Sequence, residues 1–206
     1  MEKIAKRVLE FSGIFKKENE LSKITTKTLE HKLVENEQAV LLQTSAEKYA
    51  ESTIELLKYM VNEKGMGGVY ITVSRLYNYM VYTMKDANIN TENLFFVDCV
   101  SQMGGGGEVE LENCVFTSPI ALSEIMTHTD DLLGKVKTRN KFIFLDCIST
   151  LLVYNKERSV KKVAMRLLTY VRLHHEVICI LVTIQGDTPP KLLGYLRTLC
   201  DKVIEQ

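Results

Sequence analysis

Several features by which proteins announce their class are missing from this chain. Lys plus Arg and Asp plus Glu both number 26 in 206 residues, so there is no excess charge to argue for nucleic acid or an acidic partner. No apolar run approaches the ~20 residues a membrane helix needs, and no membrane span is expected. Residues 1–17 have no continuous apolar core, so a secretory leader is not expected either. The five cysteines, Cys99, Cys114, Cys147, Cys179 and Cys200, are odd in number and widely spaced, with no CxxC pair. That excludes the common zinc spacings and favours buried, reduced thiols in a cytoplasmic protein.

What is present suits one globular domain with an extension. Hydrophobic residues make up 46% and charged residues 25%, ordinary values for a folded soluble chain. Residues 2–17 carry Ile4, Val8, Phe11 and Phe15 at helical spacing among Lys3, Lys6, Arg7, Lys16 and Lys17. A polar stretch follows, and a boundary is expected near Val34: a helical extension over 1–34 and a domain over 35–206. Within the domain, short apolar runs near 38–43, 68–73, 94–97, 114–118, 142–145, 177–184 and 202–204 read as strands. Amphipathic stretches between them read as helices, with N-caps expected at Thr44-Ser45 and Ser159 and a helix opened by Pro119. Strands alternating with helices demand parallel pairing through right-handed crossovers, hence a three-layer α/β domain around a mainly parallel sheet.

The centre of the pattern is residues 141–155, KFIFLDCISTLLVYN. Four bulky apolar residues, Phe142 to Leu145, read as a strand buried on both faces. Asp146 ends it, where open α/β sheets keep their ligand crevice. A carboxylate there either holds Mg²⁺ beside a phosphate or caps the next turn. Asp98 also ends a strand, and Ser74 follows another. Asp146, Asp98 and Ser74 are therefore the crevice candidates, with Asp146 and Asp98 the candidate metal ligands.

Phosphate chemistry needs more than an aspartate. The phosphate loop GxxxxGK[ST] uses glycine to bring backbone N–H groups close and lysine to reach the terminal phosphates. Residues 43–53, QTSAEKYAEST, contain no glycine and no Gly-Lys-Ser/Thr. After the second strand, Thr72-Val73-Ser74-Arg75 has no carboxylate to position water. Gly104 to Gly107 read as a surface loop, since Glu108 and Glu110 behind them would repel phosphate. His174-His175-Glu176 sits at a helix end, where histidine complements the dipole. Ser149 has no histidine placed to form a triad.

With these pieces in order, the chain resembles the KaiC/RecA-like ATPase superfamily over 34–206. The strand at 39–43 is similar to the phosphate-loop strand, GVYITV to the second strand and FIFLDC to the Walker B strand. LCDKVI is similar to the closing strand. More narrowly it resembles archaeal domains of this group in which segments like ENLFFVDCVS and FIFLDCISTLLVYN recur and the Walker A loop is absent. The resemblance implies a RecA-like fold. The departures imply a pseudo-ATPase: no catalytic residue, no cofactor, and a role as a cytoplasmic interaction or signalling module that meets a protein partner or itself. A ligand- or nucleotide-binding domain with a non-standard site at the same crevice is the alternative.

Overall fold

The computed structural model describes residues 37–105 and 111–206. The expected extension over 1–34 lies outside them. Seven strands form one sheet: β1 (Ala39–Thr44), β2 (Gly67–Thr72), β3 (Leu94–Asp98), β4 (Cys114–Phe116), β5 (Lys141–Asp146), β6 (Val177–Ile184) and β7 (Lys202–Glu205). Their order is β4-β3-β2-β5-β6-β1-β7, and every pairing is parallel. Six α-helices flank it: α1 (Tyr49–Lys58), α2 (Tyr77–Asp86), α3 (Leu122–Lys135), α4 (Ile148–Tyr154), α5 (Glu157–Leu173) and α6 (Pro190–Leu199). A π-helical turn, Tyr59–Glu63, extends α1. This is the three-layer RecA-like α/β architecture.

Alternation along the strands divides the core in two. Ala39, Leu41, Val69, Ile71, Ile143, Leu145, Cys179 and Leu181 share one cluster with Leu132 of α3, Leu167 of α5 and Leu196 of α6. Residues of the opposite parity, among them Leu42, Tyr70, Phe96, Phe142, Phe144 and Val182, are equally buried. There Tyr77 of α2 stands edge-on to Phe96 at 5.0 Å, and Tyr49 of α1 bonds Asp146, so α1 and α2 cover this second face. Burial on both faces explains why the strands are apolar runs rather than alternating ones. Gly68 belongs to the second core: a Cβ there would meet the Phe142 carbonyl oxygen at 2.4 Å and its ring at 2.6 Å.

At the amino ends of the strands, Asp201 ties β7 to β1. Its Oδ2 accepts from the Gln38 and Ala39 amides at 3.1 and 2.9 Å, while Arg172 donates to Oδ1 at 3.2 Å.

Three helix starts differ from the sequence pattern. Thr44 stays in β1, since it pairs with Ile184 and its carbonyl accepts the Gln185 amide at 2.9 Å. Helix α1 therefore begins at Tyr49, with Lys48 at the cap position and no side-chain cap. Ser159 lies inside the first turn of α5, because the Lys156 carbonyl already accepts from Ser159 and Val160. Pro119 sits in a turn closed by Ala121 N–H to the Ser118 carbonyl at 3.0 Å, and the α3 ladder starts only when Ala121 accepts from Ile125.

Candidate functional site

The helices following β1 and β2 cover one face, and those following β5 and β6 cover the other. The neighbouring carboxyl ends of β2 and β5 thus form a topological switch point, where α/β sheets place ligands. Asp146 closes β5 there, paired in register with Thr72 of β2. Its carbonyl accepts the Val73 amide at 2.7 Å, and its peptide to Cys147 is cis. The Thr72 hydroxyl bonds both the carbonyl and the amide of Arg75, bending the chain so that Ser74 and Arg75 turn back over the strand end.

Asp146 points into the second core, where apolar surroundings would penalise its charge. Two phenols answer it. Tyr70, two residues back along β2, stacks on Phe144 at 5.1 Å and donates to Oδ2. Tyr49, the first residue of α1, donates to Oδ1. A phenol has one proton, so in the 2.6 Å contact between the Tyr49 and Ser74 hydroxyls the serine is the donor. The Arg75 guanidinium lies 4.2 Å above the Tyr49 ring, closing the stack Arg75–Tyr49–Asp146–Tyr70.

Asp146 has no exposed surface. Burial pushes its carboxyl above the ordinary carboxylate range, opposed by the two phenol hydrogen bonds and Arg75. Burial, then the Asp146 charge, drives both tyrosines well above their usual range. They are fixed proton donors. Each carboxylate oxygen has a protein partner, so a divalent cation could reach Asp146 only after Tyr49 moved.

Next to this carboxylate, the turn from β1 into α1 is Ser45-Ala46-Glu47-Lys48. The Ser45 hydroxyl accepts the Lys48 amide at 3.4 Å. Acids Glu47 and Glu51 flank the helix start, where they suit its dipole and oppose a phosphate. Glu47 is fully exposed and held below its ordinary range by hydrogen bonds from its own backbone and Ser45.

Of the three crevice candidates, the structure brings Ser74 and Asp146 together through Tyr49 and leaves Asp98 apart. Asp98 and Asp146 flank Thr72 in register, two strand spacings or about 10 Å apart. The Asp98 carboxylate is occupied by its own loop and α2. Its Oδ1 accepts from Val100 and Ser101 amides at 2.7 and 2.9 Å, and Oδ2 from the Tyr77 amide at 2.8 Å and the Ser101 hydroxyl at 2.6 Å. It cannot share an ion with Asp146 in this geometry. His174 stacks on Tyr170 at 4.2 Å and lies 3.7 Å from Glu176, both side chains well exposed. Among the described residues no three His, Cys, Asp or Glu side chains converge.

Tyr49, Tyr70 and Arg75 are the site residues the sequence pattern did not mark. Tyr70 left a trace: a hydroxyl inside an apolar strand needs a buried partner. Tyr49 left none, since its bond to Asp146 spans 97 positions.

Comparison with solved structures finds this fold in archaeal proteins. The chain is similar to a KaiC-like protein of Pyrococcus horikoshii OT3, at 17% identity and a TM-score of 0.55, covering 82% of this chain and 71% of that one. It is similar to a P. horikoshii protein solved with an unknown peptide, at 12% identity and 0.55, covering 82% and 77%. The flagellar accessory protein FlaH of Methanocaldococcus jannaschii matches at 12% and 0.53, covering 82% and 71%. At such identities the likeness is one of fold. No family model and no curated protein matches the chain by sequence.

Proposed function

We propose that this chain is a RecA-like domain that has given up nucleotide hydrolysis and works as a cytoplasmic interaction or regulatory module. The observation that carries this reading is the closure of Asp146, whose two oxygens are bonded by Tyr49 and Tyr70 out of reach of solvent. Hydrolysis of a nucleoside triphosphate needs a carboxylate open to Mg²⁺, a backbone cradle for phosphate and a group that positions water. Here the carboxylate is occupied, and the degenerate Walker A turn offers Glu47 without a glycine. The segment after β2 supplies Ser74 and Arg75, neither a general base at neutral pH. A fold freed from catalysis keeps its surfaces, and the ligand of such a module is a protein partner or a second copy. The peptide seen with one P. horikoshii neighbour supports a protein segment as ligand on this architecture.

Arg75 favours one second reading. None of the ion pairs among the described residues uses its guanidinium, which caps the crevice over Tyr49. An anionic ligand that displaced Tyr49 would meet this cation, making the domain a binder with a rebuilt site.

Phosphate release from ATP with Mg²⁺, measured on the full chain, tests the first reading: no release above buffer is expected, and steady turnover would end it. Light scattering on the same protein, with and without residues 2–34, tests self-association through the extension. Loss of assembly on deletion is expected, and an unchanged mass removes the extension from that role. Arg75→Ala separates the second reading, because anion binding that depends on Arg75 requires an open crevice.

A further inference from the structure

Among the described residues, most of the large apolar side chains left exposed lie in two places. One is the outer side of α2, with Leu76, Tyr79 and Tyr82, where Lys85 and Asp86 balance in charge. The other is a corner at the carboxyl edge of the sheet. Val153 is 76% exposed and Tyr154 36% at the end of α4, and Ile120 is 66% exposed in the turn before α3. The Asn155 side-chain Nδ2 donates to the Pro119 carbonyl at 2.9 Å, pinning the two segments side by side.

This corner is not balanced. Residues 153–162 hold Lys156, Arg158, Lys161 and Lys162 against one acid, Glu157. Lys156, Arg158 and Lys162 are exposed, and no ion pair among the described residues uses them. Lys161 lies 3.5 Å from the centre of the Tyr195 ring of α6. Arg158 and Lys162 are like charges at i and i+4, and cations in the first turn oppose the helix dipole. Both arrangements weaken α5. Such a local conflict is the signature of a site kept for something other than folding.

We propose that this corner seats the protein on an anionic lipid surface. Protein interfaces deplete lysine, which this corner concentrates. Single-stranded nucleic acid wants aromatic faces on which bases stack, and the prominent side chains here are the aliphatic Ile120 and Val153. Aliphatic tips that enter the acyl boundary, a tyrosine at headgroup level and lysines against lipid charge fit a peripheral membrane contact.

Co-sedimentation of the full chain with vesicles tests this, using phosphatidylcholine alone and phosphatidylcholine with phosphatidylglycerol. Binding to the phosphatidylglycerol vesicles only is expected, weakening with salt. Lys156→Glu with Arg158→Glu lowers affinity by roughly twentyfold or more, at about fivefold per cation lost. Val153→Ser lowers it by about tenfold at unchanged charge. Thermal melts no lower than that of the wild type show that these exposed substitutions leave the fold intact, and the charge reversals, which relieve the repulsion in α5, raise the melting temperature by a few degrees. The basic residues of 2–17 also attract anionic lipid, so the decisive quantity is the difference between wild type and variants. No sedimentation of the wild type, or equal sedimentation of all three proteins, overturns the proposal. So does a variant that changes the mass in light scattering while its vesicle binding is unaltered, because the corner is then a protein interface.

Discussion

Asp98 and Asp146 end the two strands on either side of β2 in one three-strand register, on the same face, and both are fully buried. They are satisfied in different ways. Asp98 is bonded by three backbone amides and one hydroxyl, all from the loop behind it and the start of α2. Asp146 is bonded by two side chains, from the start of α1 and the middle of β2. A carboxylate held by backbone cannot be released without unmaking the loop. One held by side chains is released by a rotamer or a single substitution. Asp98 is thus a fold anchor, and Asp146 is a site held shut.

The largest effect expected from this contrast is Asp98→Ala. It strands three amides and a hydroxyl at once, at about 1–3 kcal/mol per buried group left without a partner. We expect a loss of roughly 3–5 kcal/mol by urea denaturation, or failure to fold. Asp98 and Asp146 would be equivalent, and the contrast broken, if Asp98→Ala cost no more than Asp146→Asn.

Next is Tyr70→Phe, which leaves Oδ2 of Asp146 buried without a donor and costs about 2–3 kcal/mol. A double-mutant cycle with Asp146→Ala gives a coupling above about 1 kcal/mol if the pair acts as described, and near zero if the phenol packs without bonding.

Glu55 of α1 offers a sharper electrostatic case. Its side chain is 9% exposed, and neither carboxylate oxygen has a hydrogen-bond partner. Burial, then the Glu51 charge, raises its carboxyl to about 7, against the attraction of Lys58. Between the ordinary glutamate range and pH 7 the folded protein holds this proton while the unfolded chain has lost it, so stability falls as pH rises through that window. Glu55→Gln should therefore stabilise by roughly 1–2 kcal/mol at pH 8 and by nearly nothing at pH 4, read as the difference in melting at the two pH values. An equal effect at both would mean that charge is not the cause.

The smallest effect is Tyr49→Phe, about 1 kcal/mol, because this ring sits at the rim. Tyr49→Phe as damaging as Tyr70→Phe would show that the rim is as closed as the core.

The fold was legible because its strands are buried on both faces. Runs such as Phe142 to Leu145 and Val177 to Ile184 admit few other readings, and their order specifies the sheet. Asp146 was legible as the polar stop at the end of such a run. The helix starts were harder: Thr44 and Ser159 have cap chemistry, yet ladder bonds to Gln185 and Lys156 absorb them into neighbouring elements. What closes the crevice was hidden. No local period links Tyr49 to Asp146, and only the fold brings a phenol from α1 onto a carboxylate of β5. Whether a strand-end aspartate belongs to its loop or to the crevice likewise depends on which amides reach it.

Calorimetric titration of the full chain with ATP and Mg²⁺, beside ADP and GTP, tests the closed site most directly. No heat and no thermal shift at millimolar nucleotide are the expected results. Micromolar binding, lost in Asp146→Asn, would contradict a sealed carboxylate and make the crevice a working nucleotide site.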